Sequence, residues 1–513
     1  MSGTVDTTSG KLRGKRTSGV SSFLGIRYGG DTSKRRFQPA RAPQPWGGTR
    51  DCFTFGARAP QGSLSVGSRP GAGADPQFLR MLGTLFGGGM TNLPPESEDC
   101  LFLNVFTPDA SPQRRRPVMV WLHGGGFALG SGDSPLYDGS ALCRRGDVVV
   151  VSLNHRLNAL GYLYLGALHD DFADSGNVGQ LDIVLALQWI RDNIANFGGD
   201  PGNVTLFGES GGGAKAGVLL GMPPAKGLFH KAIQESGPAV TSVSRNDAID
   251  LAERTLAALG VPKSDVHQLQ TFDRGRLILA ATAAQSPNAG LTGRTLAPVV
   301  DGRSLPANPF QPTATELSRD VPVIIGTNKD EGALFFAADP GFGKLTADQA
   351  HERFETMLGP RGDAAFETYR SLRPQDPPTY WVTALMTDLM FRTNSIIEAE
   401  RKAAQNAAPV YMYRLDWETP AMGGVLRAPH GLDTPLVFDN VEKASALVGT
   451  GPEPKALAAL MSSAWLNFAR TGDPSQPGLA WPRYDAQRRE TMIFNTPSHV
   501  VSDPDPERRT FWS

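Results

Sequence analysis

Short apolar runs punctuate the chain at residues 118–122, 148–153, 204–207, 321–325 and 410–413. Each is continuous rather than alternating, the pattern of a strand covered on both faces. Segments with helical spacing lie between some of them. The clearest covers 181–197, where Leu181, Val184, Leu185, Leu187, Ile190 and Ile194 form one apolar stripe and Gly198-Gly199 ends it. Strands alternating with helices predict an α/β fold with a large, mostly parallel central sheet flanked by helices. In such sheets the reactive groups gather beyond the carboxyl ends of the strands. The glycine-rich stretch 62–90 reads as a long loop with one short helix near 77–85, of the kind that forms a lid or pocket wall. No repeat, low-complexity tract or linker divides the sequence, so 1–513 is expected to be a single domain.

Composition and charge remove several function classes. The chain is 40% hydrophobic and 20% charged with a formal charge of -1, normal for a globular protein with a sizeable core. That balance opposes nucleic acid or an anionic membrane surface as partner. The basic cluster Arg114, Arg115, Arg116 reads as a solvated loop before a strand. Three cysteines, Cys52, Cys100 and Cys143, show neither a disulfide framework nor metal-ligand spacing. The opening residues lack the apolar core of a secretory signal, and no stretch reaches the ~20 apolar residues of a membrane span. A cytoplasmic protein is therefore expected, acting as a monomer or weak homo-oligomer on a small molecule.

Gly208-Glu209-Ser210-Gly211-Gly212 lies between the run 204–207 and a helix predicted over 214–220. A G-x-S-x-G turn at a strand-to-helix junction lifts the serine hydroxyl out at the sheet edge and aims a helix N-terminus at it. In a chain with 58 glycines the bare pattern is weak, and the flanking strand and helix give it meaning. His123-Gly124-Gly125-Gly126-Phe127 directly follows the run 118–122. Serine attack on a carbonyl creates an oxyanion, which needs preorganised N–H donors, and backbone amides come that close only where side chains are absent. Gly125, Gly126 and Gly211 are the candidate oxyanion donors. A phosphate loop would continue to Gly-Lys-Ser/Thr, which this one does not, and His123 on the strand side reads as structural.

A serine hydroxyl needs a base to become a nucleophile. In α/β-hydrolases, the sheets that carry this serine turn, the partners follow in the order Ser, acid, His. Five of the eight histidines come after Ser210. His230 stands in a helix-like run too close behind, His267 and His351 in stretches resembling exposed helices, and His499 in a polar segment near the C-terminus. His430, in the Pro- and Gly-punctuated loop RAPHGLDTPLVF beyond the run 410–413, has the placement a base requires. The acid is expected in GTNKDEG after the run 321–325, where Asp330 and Glu331 both qualify and spacing does not separate them.

Taken together, FLGIRYG, EDCLFLNV, WLHGGGF, NFGGDPGNVTLFGESGG, LFHKAIQESG, GTNKDEG, HGLDTPLVF and FARTGDP with WPRY resemble the type B carboxylesterase family, which includes cholinesterases and bacterial para-nitrobenzyl esterases. The matches run nearly the whole length in order. The resemblance implies the α/β-hydrolase fold and a serine carboxylesterase forming an acyl-enzyme, without metal or organic cofactor. It implies Ser210 as nucleophile, His430 as base, Glu331 rather than Asp330 as acid, Gly125, Gly126 and Gly211 as oxyanion donors, and Ser236 with Asp433 as a buried polar network near the histidine. Secreted members pair the cysteine of the EDC motif with an upstream one, but residues 57–61 hold none, which disfavours a Cys52–Cys100 bridge. The loop before Glu98 has no tryptophan, so the choline platform of cholinesterases is not expected, and a bacterial intracellular member is. Non-catalytic adhesion modules share the fold but typically lose the serine, and an amidase or thioesterase would use the same residues. Phe127, Leu334 and Phe335 are candidate pocket residues that could equally be plain core.

Overall fold

The computed structural model describes residues 3–61, 76–86, 93–286, 293–339 and 341–512. Its strands, in chain order, are β1 (Thr4–Thr7), β2 (Gly10–Arg13), β3 (Lys15–Thr17), β4 (Val20–Arg27), β5 (Thr49–Asp51), β6 (Phe102–Thr107) and β7 (Arg116–Leu122). There follow β8 (Val149–Leu153), β9 (Gly199–Glu209), β10 (Lys231–Glu235), β11 (Val323–Asn328), β12 (Val410–Leu415), β13 (Glu490–Phe494) and β14 (His499–Ser502). Among the described residues, eleven of them form one sheet in the order β14-β13-β12-β11-β10-β9-β7-β8-β6-β4-β3, and β1, β2 and β5 form a second, small one. From β8 through β7 and on to β13 all pairings are parallel, and the flanking pairs are antiparallel.

Both faces of the sheet are covered, which explains the unbroken apolar runs. Val118, Val120 and Leu122 of β7 join one core with Val149 and Val151, while Met119 and Trp121 point the other way into a second core with Phe207 and Ile233. The predicted helix at 181–197 is an α-helix, Val178–Asn193, continued by a 3-10 turn, Ile194–Phe197, and stopped at Gly198 with φ 82°. Left-handed backbone of that kind favours glycine.

Two sequence expectations need correction. The run after His230 is the strand β10 and not a helix. It is short and buried on both faces, the case in which apolar periodicity cannot separate helix from strand. Arg116 is not in a solvated loop. It begins β7, is buried, and pairs with Asp147 at 2.5 Å while donating to the Asp109 carbonyl. Of the expected loop at 62–90, the short helix is present as Pro76–Phe86, and 62–75 with 87–90 lie outside the described residues. Cys52, Cys100 and Cys143 are free and buried. No helix among the described residues is long and apolar enough to cross a membrane.

The strand order places the site. After β7 the chain crosses to β8 on one side, then returns to β9 on the other. The loop leaving β7 and the turn leaving β9 therefore open side by side at the carboxyl edge, the switch point where open α/β sheets hold ligands.

Candidate active site

Ser210 stands between β9 and the helix Gly211–Leu220 with φ 57° and ψ -123°, a conformation that costs a non-glycine residue about 1–3 kcal/mol. Its amide donates to the Glu235 carbonyl at 2.8 Å, which locks the turn onto β10. The flanking glycines are required by contact. A Cβ on Gly208 would lie 2.7 Å from the Leu122 carbonyl oxygen, and one on Gly212 would lie 1.9 Å from it. Gly211 is equally confined, since its Cβ would meet the Gly126 carbonyl oxygen at 2.2 Å. The loop after β7 and the start of the serine helix thus interlock backbone against backbone. Gly125 and Gly126 have φ 87° and 61°, so the loop's path itself favours glycine. The N–H groups of Gly125, Gly126 and Gly211 donate to no acceptor among the described residues.

His430 is buried, and its Nδ1 meets Glu331 Oε2 at 2.6 Å. Glu331, fully buried at the end of β11, accepts on its other oxygen from Ser236 Oγ at 2.5 Å and from the Asn328 amide at 2.6 Å. Asp330, its neighbour, turns away toward Arg373 at 3.4 Å. The geometry therefore brings Glu331 and not Asp330 to the histidine, a choice spacing left open. Asp433 is buried beside them and accepts from Tyr413 Oη at 2.7 Å. Burial, then the charge of Glu331, raises its carboxyl above the usual range.

Glu209 completes the cluster and was not singled out from sequence. Its Oε1 lies 3.1 Å from His430 Nε2, and no hydrogen bond among the described residues joins that ring to Ser210 Oγ. Residing inside the G-x-S-x-G motif itself, a carboxylate there was the available signal. Burial, reinforced by Asp433 and Glu331, raises Glu209 above the carboxylate range. Burial alone would lower His430, but Glu209 and Glu331 outweigh it and the imidazole is raised. The ring is also covered by Phe391, stacked at 4.5 Å, and by Phe335 at 5.0 Å. Phe391 rides on one turn of π-helix, Asp388–Arg392, whose Asp388 is gripped by Arg508 of the last helix, Pro506–Trp512, at 2.7 Å.

Ser210, Glu209 and His430 face a cleft whose apolar lining includes Leu85, Leu136 and Leu334. Leu334 is thus a pocket residue, whereas Phe127 packs on Tyr162 in the core and Phe335 stands behind the histidine. His123 is structural, with its Nδ1 donating to the Gly124 carbonyl and its ring stacked on His155. His230, His267, His351 and His499 lie outside the cleft lining. The groups His169, Asp171, His267 and His351, Glu355, Asp363 have the spacing to hold a metal ion among the described residues, and neither shares a residue with the cleft.

Residues 1–512 match the carboxylesterase family. The chain is 37% identical to para-nitrobenzyl esterase of Bacillus subtilis over 98% of its own length and 97% of that protein's. It is 32% identical to phenmedipham hydrolase of Pseudarthrobacter oxydans, covering 95% and 94%. The crystal structure of a carboxylesterase of Geobacillus stearothermophilus superposes with a TM-score of 0.84 at 37% identity, covering 99% of this chain and all of that one.

Proposed function

The chain belongs to the carboxylesterase family and is a carboxylic-ester hydrolase, and from that premise we propose that it works through an acyl-enzyme on Ser210. The observation that carries the reading is the buried Glu331–His430 pair at the edge of a cleft that Ser210 also lines. His430 takes the Ser210 proton on Nε2 as Oγ attacks the ester carbonyl, and Glu331 fixes the tautomer and stabilises the imidazolium. The free amides of Gly125, Gly126 and Gly211 receive the oxyanion, each such donor contributing about 100- to 1000-fold in kcat. His430 then protonates the leaving alcohol, and water releases the acid by the same route. The apolar lining suits small, largely apolar esters.

The test is covalent. A fluorophosphonate should abolish hydrolysis of p-nitrophenyl butyrate at one equivalent and leave its phosphonyl mass on the peptide containing Ser210. A label elsewhere, or full activity in protein labelled at Ser210, would sink the assignment.

The charge cluster predicts a pH profile. His430 and Glu209 stand 3.1 Å apart and share the proton that must be absent for base catalysis. Since both are raised, kcat/KM should climb at a pH above the range of an ordinary imidazole. Glu209→Gln removes an anion that favours imidazolium, so the acid limb should move to lower pH. An unmoved limb in a folded Glu209→Gln variant would refute the electrostatic coupling.

A further inference from the structure

Lys215 is a second ionisable group at this site that the mechanism above leaves unused. It lies fully buried on the serine helix, five residues past Ser210. Its Nζ donates to the His123 carbonyl at 2.8 Å and stands 5.7 Å from the centre of the Phe127 ring. None of the ion pairs among the described residues includes it, and Glu209 acts on it only through space. The other bases nearby offer no compensation. His123 and His155 stack against each other, each with a buried Nε2 that has no partner among the described residues, and burial followed by the Lys215 charge lowers both imidazoles. Burial likewise pushes the Lys215 amine down to about 7, against the pull of Glu209. An ammonium with one carbonyl partner in such a place destabilises the fold relative to an apolar side chain of the same shape.

What it touches gives the reason to keep it. The His123 carbonyl belongs to the peptide that enters Gly124, Gly125 and Gly126. These three have no side chains with which to anchor themselves; Gly124 lies against Glu209 and Ser210, and Gly126 against Gly211. We propose that Lys215 is a positioning residue for ester hydrolysis: by holding the His123 carbonyl it ties the glycine loop to the helix that carries the nucleophile, and so fixes the spacing between the oxyanion donors and Ser210. The proposal rests on the acyl-enzyme reading above. A donor tied at both ends to one rigid helix is preorganised for charge that develops only in the transition state.

The test uses Lys215→Met, which keeps the length of the stem and removes the N–H groups and the charge. With p-nitrophenyl butyrate, kcat should fall about 10- to 100-fold while KM changes less than about twofold. Binding of a trifluoromethyl ketone, which needs the oxyanion donors, should weaken by the same factor as kcat/KM. The melting temperature should stay level or rise, because a buried amine with a single hydrogen-bond partner has been removed. A structural prop would give the opposite sign, a lower melting temperature with kcat lost in step, and that result would overturn the proposal. So would a folded variant with kcat within about twofold of wild type. If Lys215→Met does not fold, Lys215→Gln, polar and one atom shorter, is read in the same way, and failure of both to fold also refutes it. Ser210→Ala measured alongside separates the two claims. Activity surviving there withdraws the reading of the site, whereas a dead Ser210→Ala beside a fully active Lys215→Met withdraws the lysine's role alone.

Discussion

Ser210→Ala is expected to lower kcat for p-nitrophenyl butyrate by about a million-fold while leaving the melting temperature close to wild type. The two halves of that expectation have separate causes. Alanine removes only Oγ, which has no hydrogen bond among the described residues, so nothing in the packing is lost. It keeps a Cβ, and with it the strain of φ 57°, so the folded state is no easier to hold than before. Ser210→Gly provides the control, since it relieves the strain as well and should melt higher. Steady-state rates against the uncatalysed background, with thermal melts of the three proteins, decide the matter. Retained turnover in a folded alanine variant would remove the nucleophile assignment.

Glu331→Gln is expected to cost about ten-thousand-fold in kcat, and Asp330→Asn very little. The reason lies in the donors already aimed at Glu331. Ser236 Oγ and the Asn328 amide both point at Oε1, so a glutamine must turn its oxygen to them and its amino group to His430. That forces Nδ1 to accept, places the ring proton on Nε2, and leaves no lone pair for the Ser210 hydrogen. Asp330 does something else: it faces Arg373, which also reaches Asp376 at 3.5 Å, and its substitution should appear in stability and not in turnover. Equal losses in the two variants would mean that the geometry around His430 has been misread.

Much of this site was legible in the chain because its parts are local. The serine turn, the triple glycine and the strands feeding them are each written within a dozen residues. Their meeting was harder to foresee, since it follows from the crossing of the chain from β7 to β8 and back to β9. Asp330 and Glu331 stayed indistinguishable because adjacent residues at a strand end leave in different directions, and only the packed structure says which meets the histidine. Family resemblance supplied the glutamate, and the 2.6 Å contact accounts for it physically. Glu209, Lys215 and Phe391 were missed for a common reason. Their roles depend on burial against residues far away in sequence, which periodicity does not encode, and for Glu209 the motif marked only the position. The strand β10, taken for part of a helix, shows the same limit for secondary structure.

The grip of Arg508 on Asp388 reaches as far as His430. Asp388 opens the π-helical turn that lays Phe391 over His430, so the last helix and the imidazole share one short mechanical linkage. A helix of seven residues opens more readily than the core of a paired sheet. On heating, release of Pro506–Trp512 would slacken the turn and uncover the base while the eleven strands remain paired. Heat would then silence this enzyme through one short helix, and a cross-link that pins Pro506–Trp512 would protect activity without strengthening the core at all.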